Sequence, residues 1–418
     1  MQTQVIPYLR EIQKGAEDLP HRQPKAAATH PYQGGELWEV SLLTFEPEFR
    51  DKWTDEQIAE TRKELAEQGI DWYYLPYHKW PSAAATAWDI LRGTIRVWRL
   101  NGKKKFDVLH GRVHIPTLMG ALARKFSSHK PKLLFDIRGF FPEEYTDAGI
   151  WPENGLLYRS AKRVEKWLMK EADGFVVLTE KARDILFPES VETGKDKLGR
   201  PVEVIPCCVD FAGRFNIDQK QDREKYRNRL GVGNRPVYSH VGALGGLYLT
   251  EQIADFLLAA KEKNNTFALF LTQSDPQLIF PLLRERGFTE NDYFVEKVDS
   301  REIPGYLAAA DAGLSFVKAG YATQSRSPTK IPEYLACGLP IIANRGVGDV
   351  DKLIEENGIG VLLEDFSKES YIFALNRIDE LGDISEKCRR TAEREFDLET
   401  VGGDRYRRAY KALIGLSV

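Results

Sequence analysis

Short apolar runs alternate along this chain with longer stretches whose apolar positions recur every three or four residues. Runs at 38–45, 72–75, 107–110, 132–136, 174–178 and 202–206 have strand length. Between them 55–68, 83–101, 115–126 and 156–171 carry helical spacing. The second half repeats the pattern, with strands predicted at 237–241, 267–271, 293–295, 312–316, 340–343 and 360–362. Strands alternating with helices predict parallel sheets joined by βαβ crossovers. Two such series predict an α/β fold of two doubly wound domains, with ligands at the carboxyl ends of the strands. The division is expected after Val204-Ile-Pro-Cys-Cys-Val-Asp210, giving domains 1–210 and 211–400. Residues 215–234 are charge-rich and read as a linker plus an exposed helix.

The beginning of the chain has a different texture. Val5, Ile6, Leu9 and Ile12 give residues 1–12 one apolar face, as in an amphipathic helix. Residues 13–36 are polar and contain Pro20, Pro24 and Pro31, which predicts an irregular surface segment. The helix 83–101 carries Trp88, Ile90, Leu91, Ile95, Val97 and Trp98, followed by Lys103, Lys104 and Lys105. An apolar helix with a basic end suits peripheral contact with the inner face of a membrane. A buried amphipathic helix is the alternative, and the one the pattern favours.

Composition narrows the class. At 418 residues the chain exceeds what one hydrophobic core usually serves, which agrees with two domains. A net charge of −3 argues against a general nucleic-acid binder, which would be basic. Cys207, Cys208, Cys337 and Cys388 show no metal-ligand spacing, and two are adjacent, so reduced thiols in a cytoplasmic protein are expected. No run of 18 apolar residues and no leader-like pattern is present, so neither a spanning segment nor export is expected.

The chemistry concentrates at 327–349. A polar turn, Ser327-Pro-Thr-Lys330, opens a short helix carrying one acid, Glu333; the helix stops at Gly338, and a buried strand follows into a loop with Gly346 and Gly348. A helix start offers free backbone N–H groups to a phosphate. Thr329, Lys330 and Glu333 share a helix face. Lys330 can neutralise a diphosphate as a point charge, Thr329 can donate a hydroxyl, and Glu333 can accept from a ribose diol. Such a set suits a nucleotide-sugar, although an ordinary helix–turn–strand unit has the same spacing. Gly242-Ala-Leu-Gly245-Gly246 follows the first strand of the second domain, where glycines let a diphosphate approach the backbone.

Ser327-Pro-Thr-Lys-x-x-Glu-Tyr-Leu-Ala-Cys-Gly-Leu-Pro is similar to the donor-site signature of retaining glycosyltransferases of family 4, which have the GT-B fold. The stretches 106–112, 136–144, 204–210 and 240–246 follow in that family's order, so the resemblance spans about residues 40–415. It implies two Rossmann-like domains facing across a cleft, with a last helix, 402–416, crossing back onto the first. It implies transfer of a sugar from a UDP- or GDP-sugar to a hydroxyl of a saccharide or lipid-linked acceptor, with retention, in polysaccharide or glycoconjugate synthesis. Neither cofactor nor metal is expected. The donor residues would be Gly245, Gly246, Ser327, Thr329, Lys330 and Glu333. Asp136, Arg138 and His110, at strand ends of the first domain, are the catalytic candidates, with a structural ion pair as the alternative for the first two. Arg112, Glu143 and Glu144 are the acceptor-side candidates; His114 and His240 are expected to be structural.

The chain departs from the family at three points. The acid found in many relatives eight residues before Glu333 is Ser325 here, and the basic pair after the Gly-rich loop is replaced by Leu247, Tyr248 and Leu249. The first strand and its Gly-rich loop are missing from the pattern, because residues 1–12 resemble the family's first helix directly. Two further functions stay open: a nucleotide-sugar epimerase, and a non-catalytic scaffold or regulatory subunit that keeps the donor pocket.

Overall fold

The computed structural model describes residues 5–13, 38–47, 53–80 and 82–416. Nearly all of the Pro-containing segment expected at 13–36 lies outside them. The strands are β1 Val40–Pro47, β2 Ile70–Tyr77, β3 Val108–Arg112, β4 Lys132–Ile137, β5 Gly174–Val177 and β6 Val202–Val204, followed by β7 Val237–Val241, β8 Phe267–Leu271, β9 Tyr293–Glu296, β10 Ala312–Ser315, β11 Ile341–Asn344 and β12 Gly360–Leu363. Four helices enter the argument by name: α1 Ile6–Gln13, α2 Asp55–Glu67, α3 Ser82–Lys104 and α4 His114–Phe126.

The later strands form one parallel sheet in the order β9-β8-β7-β10-β11-β12. Both of its faces are covered, so its strands are continuously apolar rather than alternating. In β8, Phe267, Leu269 and Leu271 enter one core while Ala268 and Phe270 enter the other. Each fully buried Phe or Leu of this kind stabilises the fold by about 1.5–3 kcal/mol. The chain order reverses between β7 and β10, and that reversal is where a doubly wound sheet opens a crevice.

The earlier strands divide into a parallel sheet β3-β4-β5-β6 and a separate parallel pair β1-β2. Leu133, Phe135 and Ile137 of β4 face one core, and Leu134 faces another that includes Tyr406, Tyr410 and Leu413. The helix Asp404–Ile414 therefore lies on the first sheet, although it follows the second domain in sequence. Helix α1 joins the two early sheets: Ile6 packs with Ile70 and Trp72, while Tyr8 and Ile12 pack with Leu134 and Tyr406. β1 and β3 do not pair with each other.

Helix α3 departs from the buried reading favoured by its sequence. It seats itself through Ala85, Asp89, Gly93, Leu100 and Asn101. Trp88, Leu91, Ile95 and Trp98 are all exposed. Gly93 permits the seating, because a Cβ there would lie 2.3 Å from the Met119 sulfur of α4 and 3.0 Å from Phe45 of β1. No helix among the described residues is long and apolar enough to cross a membrane.

Candidate functional site

The site is built at the β7–β10 reversal. β7 ends at Val241, and Gly242 takes φ +110°, a conformation closed to side-chain-bearing residues. A Cβ at that position would stand 3.8 Å from the Lys330 ammonium. The Lys330–Ala336 helix is locked beneath the sheet by Tyr334, whose hydroxyl accepts from the Val241 N–H at 2.9 Å and lies 3.2 Å from the carbonyl oxygens of Ser239 and Leu314. Gly313 of β10 makes room for that ring; a Cβ there would fall 2.2 Å from it. Lys330 and Glu333 are thus held on a rigid element at the switch point. A cavity of about 250 Å³, lined by Val241, Gly242, Gln273, Ser274, Val298 and Ile303 among others, opens at the ends of β7 and β8.

Lys330 is 3% exposed, and its ammonium has no hydrogen-bond partner. It sits 4.5 Å from the centre of the Tyr248 ring. Burial lowers its pKa to about 7, against the opposing pull of Glu333. A buried ammonium without a partner is costly, and an anion entering beside it would supply what is missing. Glu333 is ion-paired with Arg214, and burial nevertheless raises its carboxyl above the usual range against Arg214 and Lys330. His240 lies on β7 near this group. Burial, reinforced by the Lys330 charge, pushes its pKa well down, and its Nε2 is 3.1 Å from the Ala243 carbonyl oxygen. Arg214 was missed from sequence: it lies 119 residues from Glu333 in a charge-rich stretch, and nothing local marks it. Tyr248 is brought against Lys330 only by the fold.

The other donor candidates are partly engaged. The Gly245 N–H donates to the Thr250 hydroxyl at 2.8 Å, so that group is already satisfied; Gly246 follows with φ +61°. The Thr329 hydroxyl makes no capping bond to the helix it precedes. Ser327 accepts from the Cys207 N–H at 3.0 Å, and Ser325 accepts from the Phe140 N–H at 3.0 Å. Both bonds cross between the domains. They are joined by Thr179 donating to the Gln324 carbonyl at 2.8 Å, by Asp349 accepting from the N–H groups of Glu180 and Lys181, and by Phe140 stacked on Tyr321 at 5.1 Å. The candidate donor segment is therefore also the seam against the first domain. Ser325, itself buried, serves this seam.

On the first-domain side, Asp136, Arg138 and His110 do come together at the ends of β3 and β4. Asp136 is fully buried and accepts from the Tyr406 hydroxyl at 2.9 Å, with His110 Nε2 at 3.4 Å and Arg138 at 3.7 Å. Burial alone would raise the Asp136 carboxyl; Arg138, His110 and Arg112 overcome it and hold the group ionised well below the usual range. His110 Nδ1 is 2.8 Å from the Tyr410 hydroxyl. In this arrangement the trio ties the helix Asp404–Ile414 to the sheet. Arg138 Nη1 has no hydrogen-bond partner. Glu143 pairs with Lys162 at 2.9 Å inside the first domain, and Glu144 reaches across the seam to Arg326 at 3.4 Å. His114 is buried and bonded to Glu165 at 3.0 Å. No cluster of three or more His, Cys, Asp or Glu among the described residues is arranged to hold a metal.

Residues 34–195 match a family model described as a glycosyl transferase 4-like domain. No curated protein matches the sequence. Among solved structures, a glycosyltransferase from Rickettsia africae ESF-5 is 16% identical with a TM-score of 0.64, over 91% of this chain and 100% of that one. Sucrose-phosphate synthase from Thermosynechococcus elongatus is 15% identical with a TM-score of 0.64, over 89% and 100%. Anabaena HepE, solved in complex with UDP and glucose, is 16% identical with a TM-score of 0.58, over 82% and 87%. At such identity the likeness establishes the fold: the chain is a GT-B α/β protein with two Rossmann-like domains.

Proposed function

We propose that this protein is a glycosyltransferase that takes a UDP- or GDP-linked sugar and transfers it, with retention, to a hydroxyl of a saccharide or lipid-linked acceptor in polysaccharide or glycoconjugate synthesis. The observation that carries the reading is Lys330, a buried ammonium with no hydrogen-bond partner at the switch point of a doubly wound sheet. A diphosphate supplies the missing charge. Glu333, one turn along the same helix, takes the ribose hydroxyls, and its ion pair with Arg214 opposes the burial that raises its carboxyl. The cavity at the ends of β7 and β8 takes the base. The match of residues 34–195 to a glycosyltransferase family model and the UDP-bound Anabaena neighbour support the same chemistry.

In the reaction the bond from the anomeric carbon to the diphosphate oxygen breaks. The acceptor oxygen bonds to that carbon from the same face, and the acceptor proton passes to the departing phosphate. Lys330 stabilises the charge that develops on the leaving group, and the rigid helix fixes its position. Asp136, Arg138 and His110 position the end of β4 against the donor segment, and Arg138 adds positive charge on that side.

A thermal-shift screen of nucleoside diphosphates and their sugars tests the binding step, since a ligand specific for the native state raises the melting temperature. Product analysis of the best donor then separates the functions: free nucleoside diphosphate marks a transferase, an isomeric nucleotide-sugar an epimerase, and unchanged donor a scaffold. A panel in which no nucleotide shifts the melting temperature would overturn the reading.

A further inference from the structure

Away from the cleft, the outer edge of β2 bears a second cavity of about 550 Å³. It is lined by Arg62 from α2, Tyr73 and Leu75 from β2, and Arg92, Arg96 and Arg99 from α3. Arg92, Arg96 and Arg99 sit at spacings of four and three, so they share one face of their helix. Arg62 approaches from a different helix. Among the described residues, none of the four has a carboxylate in salt-bridge contact, although the chain as a whole carries a net charge of −3. Arg96 stacks on Tyr73 at 4.9 Å, and its Nε is buried without a hydrogen-bond partner. Arg62 lies 5.8 Å from the centre of the Tyr74 ring.

Four like charges converging on one cavity repel each other, and a buried guanidinium nitrogen without an acceptor is a further cost. Both costs are relieved by a multiply charged anion. Arginine forks match phosphate oxygens two at a time, which lysines do not. The aromatic rings fix two of the forks by stacking, so less freedom is lost when the anion enters. We propose that this cavity is a second anion site, separate from the donor cleft, that binds a phosphoryl or diphosphoryl group. Such a group can come from a soluble phosphorylated molecule or from a lipid headgroup. Trp88, Leu91 and Trp98, exposed on the same helix, are placed to meet the apolar part of a headgroup source.

Two arms distinguish the sources. Calorimetry with inorganic pyrophosphate tests the soluble one. Co-sedimentation with vesicles of phosphatidylcholine, with and without phosphatidylglycerol, tests the headgroup. The triple variant Arg92→Gln/Arg96→Gln/Arg99→Gln should lose pyrophosphate binding, vesicle binding or both by roughly 10-fold or more, the loss expected from removing charge-assisted hydrogen bonds. Its nucleotide binding in the cleft should not change. Arg62→Gln alone, on the opposite helix, should weaken the same ligand, which keeps the test decisive if the triple variant folds poorly. Loss in the pyrophosphate arm alone assigns a soluble ligand, and loss in the phosphatidylglycerol arm assigns the headgroup. If the wild type binds neither ligand, or the variants bind both as tightly as the wild type, the site does not exist. Pyrophosphate binding lost in Lys330→Met but kept in the triple variant belongs to the cleft and likewise overturns the proposal.

Discussion

Replacing Glu333 by Gln separates ribose recognition from the packing of the site. Glu333 has two parts in the account: it pairs with Arg214, and it is the proposed acceptor for the ribose, one turn beyond Lys330 on the same helix. Truncation to Ala would confuse them, because breaking a buried ion pair by removing one partner costs about 3–5 kcal/mol in stability. Gln keeps the volume and one oxygen facing Arg214, so much of that cost is avoided. It loses the negative charge that strengthens hydrogen bonds from ribose hydroxyls. Charge-assisted hydrogen bonds contribute about 1.5–3 kcal/mol each, so the affinity for a nucleoside diphosphate should fall about 10- to 150-fold. The control lies in the ligand. Calorimetry of wild type and variant with the diphosphate and with its 2′,3′-dideoxy analogue forms a double-mutant cycle. The variant should bind the dideoxy analogue as well as the wild type does, because the groups Glu333 would hold are gone. Equal losses on both ligands would refute the ribose-reading role and leave Glu333 as a partner for Arg214 only.

Other consequences follow from the same geometry. Lys330→Met should weaken diphosphate binding far more than nucleoside binding, as paired titrations would show. Since Lys330 titrates near a pKa of about 7, wild-type diphosphate affinity should fall as the pH rises from about 6 to 9 and Lys330→Met should lack that slope. Without ligand, Lys330 holds fewer protons folded than unfolded between about 7 and its ordinary 10.5, so this group makes stability rise with pH across that window, which denaturant melts of wild type and variant would resolve. Asp136→Asn should destabilise the protein by leaving Arg138 buried beside a neutral partner, though by less than the about 3–5 kcal/mol of outright removal, yet leave nucleotide affinity unchanged in the native state. Gly242→Ala should cost about 1–3 kcal/mol of backbone strain and reduce diphosphate affinity as well, since the loop it distorts faces Lys330.

What the sequence disclosed was local or periodic. The β8 run 267–271 is apolar throughout because its sheet is covered on both faces, and a covered strand needs no partner to be recognised. The candidate donor helix stood out because Ser327-Pro-Thr-Lys and Glu333 lie within seven residues of one another, and the structure has a helix at Lys330–Ala336. The contacts that complete the site are long-range. Arg214 meets Glu333, Ser327 meets Cys207 120 residues away, and Tyr406 meets Asp136 across 270. Hydrophobic period carries no information about such pairs. Helix α3 was misjudged for a related reason. Its spacing gives an apolar stripe but not which stripe packs, and the small residues Ala85 and Gly93 decided it.

The central claim is that the cleft holds a nucleotide-sugar through Lys330 and Glu333 and breaks its sugar–phosphate bond. The most direct test follows release of nucleoside diphosphate from a panel of UDP- and GDP-sugars offered with saccharide and lipid-linked acceptors, for wild type and for Glu333→Gln. The account predicts that at least one donor releases its nucleoside diphosphate with the wild type, that acceptor increases the rate, and that the variant is slowed by about 10-fold or more at limiting donor. Release of equal rate in both proteins, or no release from any donor, would contradict it.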